Sequence, residues 1–127
     1  SIWTITEQPH RWADIQNSLG GLLITMGRIT HQPSLFDKAV SVFVKIMEAQ
    51  NRNKAPLIWA TTLANIGAAL KEKGLAAQDQ ELLQRAADAY QRAGKVFAEL
   101  HLEKNAAMVE HQRAQVLELL AARLRKA

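Results

Sequence analysis

The segment PHRWADIQNSLGGLLITMG at residues 9–27 recurs as PLIWATTLANIGAALKEKG at residues 56–74. The shift of 47 residues extends without a gap to residues 46 and 93 and gives eight identities. Chance at an ordinary composition gives roughly two or three. Because tryptophan and glycine are rarely interchangeable with other residues, we interpret this as an internal repeat. The identical pairs are Pro9 and Pro56, Trp12 and Trp59, Ala13 and Ala60, Gly20 and Gly67, Leu23 and Leu70, Gly27 and Gly74, Leu35 and Leu82, and Ala39 and Ala86.

Each repeat predicts two helices joined by a short loop. The first helix of repeat one is expected at about 9–26, with Gly27, like Gly74 in repeat two, in the left-handed position that ends a helix. Apolar residues three and four apart predict one buried face on this helix. That face would contain Trp12, Ile15, Leu19, Leu22, Leu23 and Met26.

The second helices are predicted at about 35–49 and 80–100, with Ser34 and Asp79 as their N-caps. A fifth helix is predicted at about 105–125. Mid-helix glycine costs about 1 kcal/mol relative to alanine, so Gly20 and Gly67 predict close approach of a partner helix. Small residues on the second helices would match these glycines, and an aromatic residue one turn later would fill the space between hairpins. These residues are Ala39 and Ala86, and Phe43 and Tyr90.

The amino-acid composition indicates the fold class and excludes several kinds of site. Helix-favouring residues dominate and only three prolines and six glycines interrupt them, so an all-α fold is predicted. The absence of cysteine excludes disulfides, zinc–thiolate sites, iron–sulfur clusters and thiol catalysis. No apolar stretch approaches the roughly 20 residues that span a bilayer, so no membrane partner is expected. A cysteine-free chain fits a reducing compartment, and the expected location is cytoplasmic.

The same residues resemble the tetratricopeptide repeat (TPR) family. Its pattern of a large residue, Leu-Gly, another large residue, then Ala and an aromatic fits both repeats. Repeat two supplies Leu63, Ile66-Gly67, Leu70, Ala86 and Tyr90, and repeat one supplies Gln16, Leu19-Gly20, Leu23, Ala39 and Phe43. The family period is about 34 residues, and the tryptophans here lie one turn before the usual aromatic. The chain is therefore similar to a long-period variant of the kind found in bacterial repeat arrays.

The resemblance implies a right-handed α-solenoid of antiparallel helical hairpins, cut from a larger array. The expected divisions are 1–8 as the tail of a preceding repeat, 9–54 as repeat one, 55–103 as repeat two, and 104–127 as a C-terminal capping helix. Solenoids of this kind have an exposed face at each end of the stack. Self-association through such repeat ends is a further expectation.

The resemblance also implies a function, which is to bind a protein or peptide on the concave face formed by the first helices. Asn65 matches one residue of the family subtype that holds chaperone C-terminal carboxylates. Met108 and Gln112 stand where that subtype has basic residues, which disfavours such a clamp. The residues expected on the concave face are Asp14, Asn17, Ser18, Gly21, Thr25, Thr61, Ala64, Asn65, Ala68, Lys71, Glu72, Met108, His111, Gln112 and Gln115.

Other functions fit the sequence less well. The net charge is +4, from 16 basic and 12 acidic residues, and the basic residues are spread rather than clustered, which disfavours nucleic-acid binding. The histidines at positions 10, 31, 101 and 111 lack the spacing of a metal site. With no phosphate loop or nucleophile motif, we expect neither a catalytic site nor a cofactor. The alternatives are a basic helical surface that binds nucleic acid, and a non-catalytic regulatory part of a larger enzyme or signalling protein.

Overall fold

The computed structural model describes residues 9–126, which fold into five α-helices without a strand in that range. The all-α prediction is confirmed. The predictions for residues 1–8 lie outside the described residues. None of the helices in the described part is long and apolar enough to cross a lipid bilayer. The helices are α1 (Pro9–Thr30), α2 (Ser34–Ala49), α3 (Pro56–Ala77), α4 (Gln80–Glu99) and α5 (Glu103–Lys126).

Each helix packs against the next one along the chain, and α1 also contacts α3. Both ends of α3 lie 47 residues after the corresponding ends of α1, so the sequence period is also a structural one. The core consists of two clusters. One joins α1, α2 and α3 around Phe36, Phe43 and Ile46. The other joins α3, α4 and α5 around Leu83 and Tyr90.

The buried face of α1 is not the predicted one. Ala13, Gly20, Ile24 and Gly27 are buried, and they line the side of α1 that faces α2. Small residues occupy this side because the large side chains at the contact come from α2. Trp12 and Leu23 are half-buried against the same cluster. The other four residues predicted to be buried are exposed, namely Ile15, Leu19, Leu22 and Met26.

The close approach predicted at Gly20 and Gly67 is present, but an aromatic ring makes it rather than a helix backbone. A Cβ on Gly20 would overlap the Phe43 ring. In repeat two a Cβ on Gly67 would lie 3.0 Å from Cε1 of Tyr90. Each ring therefore fills the space within its own hairpin instead of the space between hairpins.

The predicted helix ends at Gly27 and Gly74 are wrong. α1 and α3 continue three residues further, and the left-handed residues are His31 (φ 55°) and Gln78 (φ 54°). The glycine carbonyls accept the terminal hydrogen bonds, from Gln32 N–H at 3.0 Å in repeat one. These bonds satisfy carbonyls that would otherwise lack a partner at the helix end. The missing side chain also admits a neighbour, since Phe36 Cε1 would lie 2.8 Å from a Cβ on Gly27.

Of the two predicted N-caps, only Asp79 is confirmed. Its Oδ1 accepts hydrogen bonds from the backbone N–H of Glu81 at 3.0 Å and of Leu82 at 3.3 Å. Ser34 is instead the first residue of α2, and the preceding Pro33 makes no side-chain cap. Pro33 has helical dihedral angles, so Ser34 lies already inside the turn and not at its boundary.

Candidate partner-binding groove

Two open pockets lie on either side of the C-terminal half of α3. The first, of about 460 Å³, separates α3 from the end of α1 and the start of α2. In this pocket Leu75, Ala76 and Glu72 of α3 face Arg28 near the end of α1 and His31 just after it. Its lining residues are Gly27, Arg28, His31, Pro33, Phe36, Glu72, Leu75 and Ala76.

The second pocket, of about 530 Å³, separates α3 from α5. Leu119 and Ala122 of α5 supply apolar surface opposite Leu75, and charged side chains border it. Leu75 contributes to both pockets, so we treat them together and call them the groove. The residues of the second pocket are Lys71, Leu75, Gln115, Glu118, Leu119, Ala122 and Arg125.

The groove follows the repeat. Arg28 on α1, Leu75 on α3 and Ala122 on α5 are separated by 47 residues each, and all three line it. The three helices therefore present the same helical position to the same side of the molecule. Sequence reasoning missed Arg28 and Leu75 because the predicted first helices ended too early, and it did not place Ala122 of the fifth helix on the binding face. Extending the 47-residue register by one residue past Gly27 and Gly74 would have found Arg28 and Leu75.

Charges in the groove are mixed. Arg28, Lys71 and Arg125 carry positive charge, and Glu72 and Glu118 carry negative charge. The Glu72 side chain is only 16% exposed, and its Oε1 lies 3.9 Å from Lys71 Nζ. A groove with apolar walls and charges of both signs can hold an apolar side chain and pair with polar groups next to it.

A buried phenol on α4, that of Tyr90, lies near the groove residue Glu72. Burial raises the pKa of Tyr90 to about 12, and the nearby negative charge of Glu72 adds to the effect. The hydroxyl group has no hydrogen-bond partner within the described part of the chain. Burial without a hydrogen-bond partner therefore disfavours the phenolate form.

Two of the predicted binding residues, Asn17 and Asn65, join α1 to α3. Asn17 Nδ2 donates to Thr62 Oγ1 at 3.0 Å, and Asn65 Nδ2 donates to Asn17 Oδ1 at 3.0 Å. Thr62 in turn donates to the Ile58 carbonyl at 2.7 Å. This half-buried network holds the two first helices in register. It lies about 10 Å along α3 from Glu72, since Asn65 precedes Glu72 by seven residues at about 1.5 Å each.

The other predicted residues are divided between the groove and the surface around it. Lys71, Glu72 and Gln115 line the groove. Asp14 and Ser18 are exposed on α1, and Thr25 bonds back to the Gly21 carbonyl of its own helix. Thr61 and Gln112 are half-buried, while His111 is exposed with its Nε2 at 3.3 Å from Gln115 Nε2. Gly21, Ala64 and Ala68 are half-buried, and Met108 is exposed.

A second polar cluster surrounds Trp59, the repeat equivalent of Trp12. The ring packs on the core but is only half-buried. The guanidinium carbons of Arg52 and Arg92 each lie 5.6 Å from the centre of the ring, within the range of a cation–π contact. Arg52 also bonds Glu99 at 3.2 Å. We call Arg52, Trp59, Arg92 and Lys95, which line a pocket of about 270 Å³, the Trp59 cluster.

Within residues 9–126 no three side chains of the metal-binding types come together as a site for an ion. Comparison of the chain with protein-family models, with curated proteins and with solved structures gives no match.

Proposed function

We propose that this protein is an interaction scaffold that holds a protein or peptide segment in the groove. The observation that carries the proposal is the position of Leu75, which lines two adjoining pockets between three helices. Pockets with apolar walls and polar rims are the usual form of a binding site for a segment of another protein. The proposed occupant has an apolar side chain that packs against Leu75 and Leu119, with charged residues next to it.

The proposed architecture is a right-handed TPR-like solenoid of antiparallel hairpins. Supporting it are the 47-residue relation between α1 and α3, the packing of each helix on the next, and the shared face of Arg28, Leu75 and Ala122. In a solenoid the first helices line one side, which gives them a common binding surface. We further propose a cytoplasmic location, a role without catalysis, and a place in a longer array or in a regulatory part of a larger protein.

Nucleic-acid binding is the alternative, and the Trp59 cluster is the observation that favours it. Arg52, Arg92 and Lys95 surround a half-exposed ring. However, Arg52 is already paired with Glu99, and the two guanidinium groups contact the ring that a base would need for stacking. The groove is therefore the preferred site.

The test begins with peptides selected from a random displayed library on the 127-residue protein. The affinity of a selected peptide is then measured for Leu119→Asp and for Leu124→Asp. Both leucines lie exposed on α5, at 37% and 65%, but only Leu119 lines the groove. We expect Leu119→Asp to weaken binding by about tenfold or more, because one buried apolar contact is replaced by a desolvated charge.

Leu124→Asp is the matched control and is expected to change the affinity by less than about twofold. An exposed charge outside the groove contributes little to binding at moderate salt. Equal losses of affinity for the two variants would contradict the groove proposal. Binding of a DNA or RNA oligonucleotide that is lost as salt is raised, without any effect of Leu119→Asp, would instead favour the nucleic-acid alternative, whose affinity depends on released counterions.

A further inference from the structure

α1 has a second apolar face that no other described element covers. Its large side chains are 42% to 68% exposed, and their spacing alternates between four and three residues. That alternation is the seam pattern of paired helices in coiled coils. No charged residue occurs from position 15 to position 27. We call this face the apolar stripe, and it consists of Ile15, Leu19, Leu22, Met26 and Ile29.

The corresponding face of α3 shows what contact with a preceding hairpin requires. Thr62 is fully buried and accepts the hydrogen bond from Asn17 on α1. Ala69 is buried in the cluster that α1 and α2 form with α3. Lys73 Nζ lies 2.7 Å from Asp37 Oδ1 on α2. Thr62, Ala69 and Lys73 thus add small and polar contacts to the surface by which one hairpin stacks on the one before it, beside the apolar Ile58 and Ile66.

The apolar stripe has a different chemistry at the same positions. Where α3 has Thr62, Ala69 and Lys73, α1 has Ile15, Leu22 and Met26, 47 residues earlier. Ile15 and Leu22 are larger than Thr62 and Ala69, and Met26 lacks the charge of Lys73, so the polar contacts by which α3 binds the first hairpin have no equivalent on α1. Leu19 alone matches its counterpart, Ile66, in size. Protruding side chains at heptad spacing fit a single facing helix, into whose gaps they can insert.

The spacing of the stripe also makes it complementary to itself. When two copies of α1 run antiparallel about a point between Gly20 and Gly21, every large apolar residue meets another one. Gln16, Ser18, Leu23 and Thr25 border the centre of the seam, and Arg11 near its end faces Thr30 of the second copy, so no like charges meet. Within the stripe Leu19 faces Leu22 and Ile15 faces Met26 of the second copy, while Ile29 faces Trp12, whose ring is half-buried against the core cluster of α1.

We propose that the apolar stripe is the interface of a symmetric dimer, in which α1 pairs antiparallel with α1 of a second copy of this chain. A two-fold axis uses the same patch on both subunits, which is what a self-complementary stripe provides. This interface does not include the groove, and the proposal stands or falls independently of the proposed function.

Sedimentation of the 127-residue protein over roughly three decades of concentration measures the association. Wild type is expected to shift from monomer to dimer. Leu22→Glu is expected to weaken dimerisation by about a hundredfold or more, because the symmetric interface contains the buried charge twice. Leu57→Glu is the matched control, since Leu57 is 49% exposed on α3 and lies outside the stripe.

Cysteine cross-linking tests the direction of the pair, and the chain has no cysteine of its own. In the antiparallel dimer Ile15 faces Met26, so the double variant Ile15→Cys with Met26→Cys is expected to form a disulfide-linked dimer on mild oxidation. Either single variant alone is expected to remain unlinked.

A wild-type protein that stays monomeric at every concentration overturns the proposal and leaves the stripe to a preceding hairpin of a longer polypeptide. Efficient linking of Ile15→Cys alone overturns the antiparallel geometry, because only a parallel pair brings that position next to itself. Equal effects of Leu22→Glu and Leu57→Glu would place the interface elsewhere.

Discussion

Two adjacent glycines of α1 have different surroundings, and their replacement tests the packing of the first hairpin. A Cβ on Gly20 would overlap the Phe43 ring, while a Cβ on Gly21 would meet nothing within 4 Å. We expect Gly20→Ala to lower the free energy of unfolding by about 1–3 kcal/mol, since Phe43 must move. Gly21→Ala is expected to raise it by up to about 1 kcal/mol through helix propensity.

Urea denaturation of both variants gives the two free energies of unfolding. The opposite signs are the diagnostic result. If Gly20→Ala were as stable as Gly21→Ala, the Phe43 ring would not lie on α1 as described.

Tyr90 gives the protein a pH dependence above pH 10. The phenol is neutral in both folded and unfolded states below the unfolded pKa of about 10. As pH rises from there to the folded pKa of about 12, the unfolded chain loses the proton first, so stability falls. Tyr90→Phe is expected to remove this loss.

Tyr90 is the single tyrosine of the chain, so the phenolate absorbance band reports on it alone. We expect a midpoint near 12 in the folded protein and about 10 in denaturant. A midpoint near 10 in the folded protein would show that the hydroxyl is not buried.

At the level of the helices, the starts of α2 and α4 offer a matched comparison. Asp79→Ala removes a side-chain cap and is expected to lower the free energy of unfolding by about 1 kcal/mol. Ser34→Ala removes no cap bond and is expected to stay within about 0.5 kcal/mol of wild type. Thermal or urea unfolding of the two variants distinguishes them, and a larger loss at Ser34 than at Asp79 would contradict the assignment.

The sequence predicted the number and order of helices because the 47-residue period and the periodicity of apolar residues are local signals. It did not predict which face of α1 is buried. Ile15, Leu19 and Leu22 look like core residues by spacing, yet the contact with α2 uses Ala13 and Gly20. Whether a stripe of large residues packs within its own hairpin or faces another molecule depends on the side chains of the partner helix. The periodicity of apolar residues along one helix carries no information about that partner.

The helix ends were also misplaced for a physical reason. Glycine is the usual left-handed residue after a helix, so the helix ends were predicted at Gly27 and Gly74. In the structure His31 and Gln78 take that conformation instead. The glycines lie inside the helices, where Phe36 and Leu83 of the following helices pack close to the place of a Cβ.

For the whole molecule, the residues predicted for the concave face overlap only in part with those that line the groove. Lys71, Glu72 and Gln115 were predicted and line it. Asn17 and Asn65 were predicted as binding residues, and the structure shows them bonded to each other between α1 and α3. A polar residue on a half-exposed face can serve a partner or a neighbouring helix, and sequence spacing alone does not distinguish the two.

The central claim is that the groove, and no other surface, holds the partner. Amide chemical shifts of the isotope-labelled protein, recorded as a selected peptide is added at low and at high salt, test it most directly. We predict that the perturbed amides cluster at the groove, on the C-terminal half of α3 and the facing part of α5, and that the pattern persists at high salt. Perturbations that cluster around the Trp59 cluster and vanish at high salt would contradict the claim.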